Sequence, residues 1–216
     1  YTLSLHDALP ILVRLFPTNL VVHHIRCFKT STMGKRALVL IAPGTEEMEC
    51  IITVDVLRRA GIEVSLAGLT GKGAMKCSRN VSIVPDIELS EAKAPYDAVI
   101  LPGGVGGAKS FCESKELGEI LKQQYDEGRI VAAICAAPTA LRTHSIAFGK
   151  SLTSYPSLES QVLEGSKYTY KQDEVVVDGN LITSRGPGTA FKFALTLVDT
   201  LVGKEKAVEV AKGMLM

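Results

Sequence analysis

The chain has 216 residues, 46% of them hydrophobic, with 24 basic and 23 acidic side chains and a net charge of +1. That length buries one sizeable core and favours a single domain. Balanced charge with no basic run interleaved with aromatics argues against a nucleic-acid surface, and no stretch is long enough for a membrane span.

Five cysteines (Cys27, Cys50, Cys77, Cys112 and Cys135) lack CxxC spacing, which argues against a disulfide framework or structural zinc and for a reducing compartment. Only His144 lies beyond residue 24, so no histidine-rich metal site is expected, and no cofactor. Residues 1–33 read as a leader outside the domain. Arg14 to Thr32 is acid-poor, basic and hydroxylated like a mitochondrial transit peptide, although Pro17 interrupts its helix. The alternative, favoured here, is non-native read-through, because Leu3 to Ile11 resembles a translated adapter; Met33 would then be the start.

From Lys35 strands and helices alternate. Ala37 to Ala42 reads as a buried strand and Pro43-Gly44 as a turn. Thr45 is the expected N-cap of a helix that runs to Ala60 and stops at Gly61. Glu46 and Glu47 suit the first turn through the helix dipole alone. Glu49 differs, since Met48, Cys50, Ile51 and Ile52 around it imply a face turned inward. Ile62 to Ala67 is the next strand, and Met75 to Val84 forms a hairpin around Ser78-Arg79-Asn80. Ala98 to Leu101 is a buried strand that ends in the glycine run Gly103-Gly104-Val105-Gly106-Gly107. This run has neither G-x-G-x-x-G nor P-loop spacing, so a nucleotide cradle is not expected. Close backbone approach is the better use, with the N–H of Gly104 joining that of Ala136 around an oxyanion.

Lys115 to Asp126 is helical, and Ile130 to Ile134 is an apolar run that stops at Cys135. Ala133 and Ala137 flank Cys135 two residues away on either side, and Pro138 suits the first turn of a helix. This small-x-nucleophile-x-small pattern fits a sharp strand-to-helix elbow that exposes the thiol. Amides and the helix dipole there would favour a thiolate, and a buried carboxyl from Glu49 beside it would stay protonated. His144, nine residues on, reads as a surface or helix-end residue. Ser151 to Ser154 is a short strand; Tyr168 to Tyr170 and Val175 to Val177 read as exposed strands. Leu181 to Ser184 leads through Arg185-Gly186-Pro187-Gly188-Thr189 to a helix over Ala190 to Leu201 and a last one from Lys204 to about Met214. The sum is a doubly wound, mostly parallel α/β sheet whose site lies beyond the carboxyl ends of its strands.

Six stretches, Lys-Arg-Ala-Leu-Val-Leu (35–40), Glu-Glu-Met-Glu (46–49), Leu-Arg-Arg-Ala-Gly-Ile (57–62), Leu-Pro-Gly-Gly (101–104), Ala-Ala-Ile-Cys-Ala (132–136) and Leu-Ile-Thr-Ser-Arg-Gly-Pro-Gly-Thr (181–189), carry a resemblance. From Lys35 onward, the chain resembles the Parkinson disease protein 7 (DJ-one) family of the PfpI-like superfamily, which implies a flavodoxin-like domain over residues 34–216. The resemblance implies that Cys135 is the reactive, oxidisable cysteine, Glu49 its protonated partner, and Gly104 with Ala136 the anion pocket. Arg79, Tyr155, Arg185 and Pro187 would line the site. It further implies a homodimer through the Glu49 helix, with Met48, Asp55 and Arg59 at the interface. The implied activities are a cofactor-free glyoxalase or protein deglycase acting on methylglyoxal or glycated proteins, redox sensing through cysteine sulfinate, and chaperone function. The expected location is the cytoplasm, with mitochondrion and nucleus as further compartments. Two departures from the family pattern stand out: Tyr155 follows Thr153-Ser154 where many members have histidine, and Val84 replaces a second oxidisable cysteine. Ala136 stands where peptidase relatives carry a histidine, which argues against protease activity.

Overall fold

The computed structural model describes residues 34–216, so both readings of the leader, and Cys27 with it, lie outside the described residues. Arg36–Ile41 forms β1, Glu47–Arg59 α1, Glu63–Gly68 β2, and Met75–Lys76 with Ser82–Ile83 the β3–β4 hairpin. A short β5 (Ile87–Glu88) and β6 (Ala98–Leu101) follow, then α2 (Val105–Glu113), α3 (Lys115–Asp126), β7 (Ile130–Ile134) and α4 (Pro138–Thr143). The chain continues through β8 (Ser151–Leu152), α5 (Glu159–Leu163), β9 (Thr169–Tyr170), β10 (Val175–Asp178) and β11 (Leu181–Ser184). It ends in α6 (Ala190–Val202) and α7 (Lys204–Gly213).

Seven strands make one sheet in the order β10-β11-β7-β6-β1-β2-β5, and every pair but the β10–β11 edge is parallel. Alternation along β1 separates the two cores. Val39 and Ile41 face the layer of α1 and α6, whereas Leu38 and Leu40 face that of α3 and α4. With both faces covered, the central strands are continuously apolar, the sequence signature of a doubly wound sheet.

Three local readings need correction. Thr45 is not an N-cap: its hydroxyl turns back to accept the Ala42 N–H at 3.0 Å, and Glu46 takes the cap position. The glycine run is not all loop, since α2 begins at Val105 inside it. Lastly, β9 and β10 are not simply exposed, because Tyr168 just before β9 and Val176 within β10 are buried.

Candidate active site

β7 ends where the chain must turn sharply, and Cys135 adopts φ +64°, a left-handed conformation uncommon for a residue with a side chain. Main-chain hydrogen bonds hold it there. The Cys135 N–H donates to the Ser184 carbonyl at 3.0 Å, and the Tyr155 N–H donates to the Cys135 carbonyl at 2.8 Å. Such strain persists only where the surroundings over-determine it, and it concentrates at functional sites.

Gly103 sets the distance between the two central groups. A Cβ there would lie 2.6 Å from both Cys135 Cβ and Glu49 Oε2, so only a glycine lets the cysteine and the carboxyl share this spot. Glu49, in the first turn of α1, is fully buried. Its Oε2 accepts the Gly103 N–H at 2.7 Å, while Oε1 has no conventional hydrogen-bond partner among the described residues. Burial raises the Glu49 pKa from its ordinary 4.5 to about 7, against the Gly103 N–H and the Cys135 contact, which both pull it down.

The thiol departs from expectation. Burial, and then the charge of Glu49, push Cys135 up to about 12, although the Gly104 and Ala136 N–H groups both bond the sulfur and pull the other way. α4 has only 6 residues, so its dipole is a weak counterweight to desolvation. The elbow's amides therefore do not set the thiol's ionisation by themselves. Cys135 and Glu49 instead form a coupled pair that loses its first proton near neutrality and its second only in strong alkali.

Above the sulfur opens a pocket of about 540 Å³, with Gly104, Ala136, Arg79, Tyr155 and Pro187 in its wall. Arg185 is not in that wall. Its Nη1 donates to the Gln172 carbonyl at 2.6 Å and to Gln172 Oε1 at 2.8 Å, which holds it in a neighbouring groove that shares only Tyr155 and Pro187 with the pocket. Tyr155 is 46% exposed at the junction of the two.

Glu46 and Glu47 do more than answer a dipole. Ser78 Oγ donates to both carboxylates, and the Arg79 N–H donates to Glu47 Oε1 at 2.9 Å, pinning the hairpin turn that carries Arg79 to the pocket. Burial acts upward on Glu47, but these hydrogen bonds outweigh it and hold its carboxyl below the ordinary range. Sequence spacing gave no signal for this bridge, because the partners lie about thirty residues apart.

His144 caps α4 away from the site, its Nε2 within 2.8 Å of the Phe111 carbonyl. Met48 is half exposed on α1, and Arg59 pairs with Asp55 at 2.7 Å on the surface. Among the described residues no three His, Cys, Asp or Glu side chains converge as metal ligands, and no helix is long and apolar enough to cross a membrane.

Residues 35–200 match the model of the DJ-1/PfpI family. The chain is 56% identical over 186 residues to protein dj-1beta of Drosophila melanogaster, covering 85% of this chain and 98% of that one. The crystal structure of Drosophila melanogaster DJ-1beta superposes with a TM-score of 0.83 over 85% of this chain and 99% of that one. A Caenorhabditis elegans protein named glutathione-independent glyoxalase DJR-1.2 is 42% identical over 180 residues, 82% of this chain and 95% of that one. The structure of oxidized Toxoplasma gondii DJ-1, 34% identical, gives a TM-score of 0.80 over 84% of this chain and 98% of that one. With its flavodoxin-like sheet and a cysteine elbow facing a buried glutamate, this chain belongs to the DJ-1/PfpI family.

Proposed function

We propose that the protein is a cofactor-independent glyoxalase and deglycase that converts methylglyoxal, or its early thiol and amine adducts, to lactate. The observation that carries the reading is the Glu49 carboxyl, buried beside the Cys135 sulfur with one oxygen lacking a conventional hydrogen-bond partner among the described residues and its pKa raised to about 7. A base poised near the working pH is best placed both to take and to return a proton.

Glu49 removes the thiol proton as sulfur attacks the aldehyde carbon, and the Gly104 and Ala136 N–H groups that bond the sulfur in the free protein hold the new oxyanion. Reprotonation of that oxygen gives a hemithioacetal and restores the carboxylate. Glu49 then takes the proton from the former aldehyde carbon, leaving an enediolate, and returns it to the neighbouring carbon while the hydroxyl proton passes from the first oxygen to the second, which leaves a lactoyl thioester. Water cleaves the thioester to lactate and free Cys135, so methylglyoxal plus water equals lactate. With methylglyoxal as substrate, Cys135→Ser and Glu49→Gln are each expected to lower lactate formation about a hundredfold or more. Lactate at the parent rate from Glu49→Gln would refute the mechanism.

The same Glu49 carboxyl favours a second use. Two equivalents of peroxide convert the Cys135 thiolate to sulfinate plus two waters, and a protonated Glu49 could donate a hydrogen bond to a sulfinate oxygen. Cys135 opens onto the pocket, whereas Cys50 and Cys77 are buried outside its wall, so peroxide in the pocket meets Cys135 first. Mass spectrometry after mild peroxide should find two added oxygens on Cys135 before Cys50, Cys77 or Cys112; another order would refute the redox role. We further propose a homodimer through α1, supported by the exposed Met48 and Ile51 on that helix. Sedimentation of parent and Ile51→Glu protein tests it, with a shift to monomer expected and no shift counting against it.

A further inference from the structure

The pocket over Cys135 is far larger than a three-carbon dicarbonyl requires, since its about 540 Å³ lies in the range that encloses drug-sized ligands. It also does not end at the elbow. A second cavity of about 270 Å³ shares Val105, Ala136 and Leu158 with it, so the two meet over the residue that follows the nucleophile. Thr139 ties this cavity to the elbow by donating to the Ala136 carbonyl at 2.7 Å. The second cavity also differs in chemistry. Lys109 and Glu113, one turn apart on α2, present an ammonium and a carboxylate 3.9 Å from each other, each side chain at least two-thirds exposed.

We propose that this second cavity is a carrier subsite, which holds the zwitterionic backbone of an amino acid or short peptide whose side chain bears the dicarbonyl-derived group. The inference rests on the glyoxalase and deglycase reading and defines its substrate. The three-carbon head lies at Cys135 against the Gly104 and Ala136 amides. An aliphatic stem passes Ala136 between Val105 and Leu158, and the carrier's α-carboxylate meets Lys109 while its α-ammonium meets Glu113. Opposite charges side by side reject a purely anionic or purely cationic tail and accept one that carries both.

The test uses a stable probe, Nε-(1-carboxyethyl)lysine, whose head, stem and zwitterion match the three regions, and N-ethylalanine, which keeps the head without the carrier. Titration calorimetry on the full chain should give about tenfold tighter binding for the lysine compound, the gain of one or two charge-assisted contacts. Lys109→Met with Glu113→Gln should bring that ratio to about one, as should Gln161→Trp, which places a bulky ring on the exposed wall of the cavity; Lys109→Arg should keep it. Equal binding of the two compounds by the parent chain, or a ratio unmoved by these variants, would overturn the subsite. Lactate formation measured on the same preparations keeps the two questions apart: its absence would refute the glyoxalase reading, whereas the affinity ratio alone decides the subsite.

Discussion

Replacing Glu49 by glutamine should make the protein's stability less sensitive to pH between mild acid and mild alkali. In the folded chain Glu49 holds its proton up to about pH 7, whereas in the unfolded chain it lets go near the ordinary 4.5. Between those values the folded state binds more protons, so its stability falls as pH rises through the window. Glutamine can copy the neutral acid, its oxygen accepting the Gly103 N–H in place of Oε2 and its NH2 group facing the sulfur. From about pH 5 to about pH 8 the linkage integral gives about 2–3 kcal/mol, lost by the parent and not by the variant. Urea unfolding of both proteins across that range isolates the effect, because carboxylates such as Glu47 and Asp97, whose pKa values are lowered, contribute equally to both. Glu49→Gln should gain on the parent steadily as pH rises. A difference that stayed constant with pH would show that Glu49 is ionised throughout, and the proton-sharing pair would fall.

Two further variants test the geometry that holds this pair. Gly103→Ala would set a methyl group 2.6 Å from Cys135 Cβ and from Glu49 Oε2, with the Ile134 carbonyl 2.8 Å away. It should cost about 1–3 kcal/mol in urea unfolding and slow Cys135 chemistry, and wild-type stability would refute the packing. Because Cys135 sits at φ +64°, Cys135→Gly should be about 1 kcal/mol more stable than Cys135→Ala, the reverse of the usual order; the usual order would show that the elbow relaxes.

The sheet was legible because its central strands are short apolar runs closed by turn residues, and a strand buried on both faces can look no other way. Glu49 could be singled out because its neighbours Met48, Cys50, Ile51 and Ile52 are apolar, and Cys135 because small residues flank it. α2 was hidden by propensity, since glycines argue against helix. Those glycines serve contact: a Cβ on Gly107 would lie 2.5 Å from Thr45 Oγ1, and one on Gly106 3.0 Å from the Pro43 carbonyl, so the helix start presses on the loop before α1. The Glu46–Glu47 clasp on Ser78 and Arg79 and the capture of Arg185 by Gln172 depend on which loops the fold brings together, which no local pattern encodes. The burial that opposes thiol ionisation was not legible, because an elbow's amides can be read from sequence while the depth to which they are buried cannot.

The most direct measurement is the pH dependence of Cys135 alkylation by iodoacetamide, resolved by peptide mass spectrometry, in the parent and in Glu49→Gln. A pair sharing one proton predicts that parent reactivity rises through an inflection near pH 7, as Glu49 becomes able to draw the thiol proton, and then levels. Without that carboxyl, the inflection near neutrality should vanish and a single alkaline one remain, below the parent's second step because the neighbouring charge is gone. Superimposable profiles for the two proteins would contradict the shared proton on which the proposed chemistry depends.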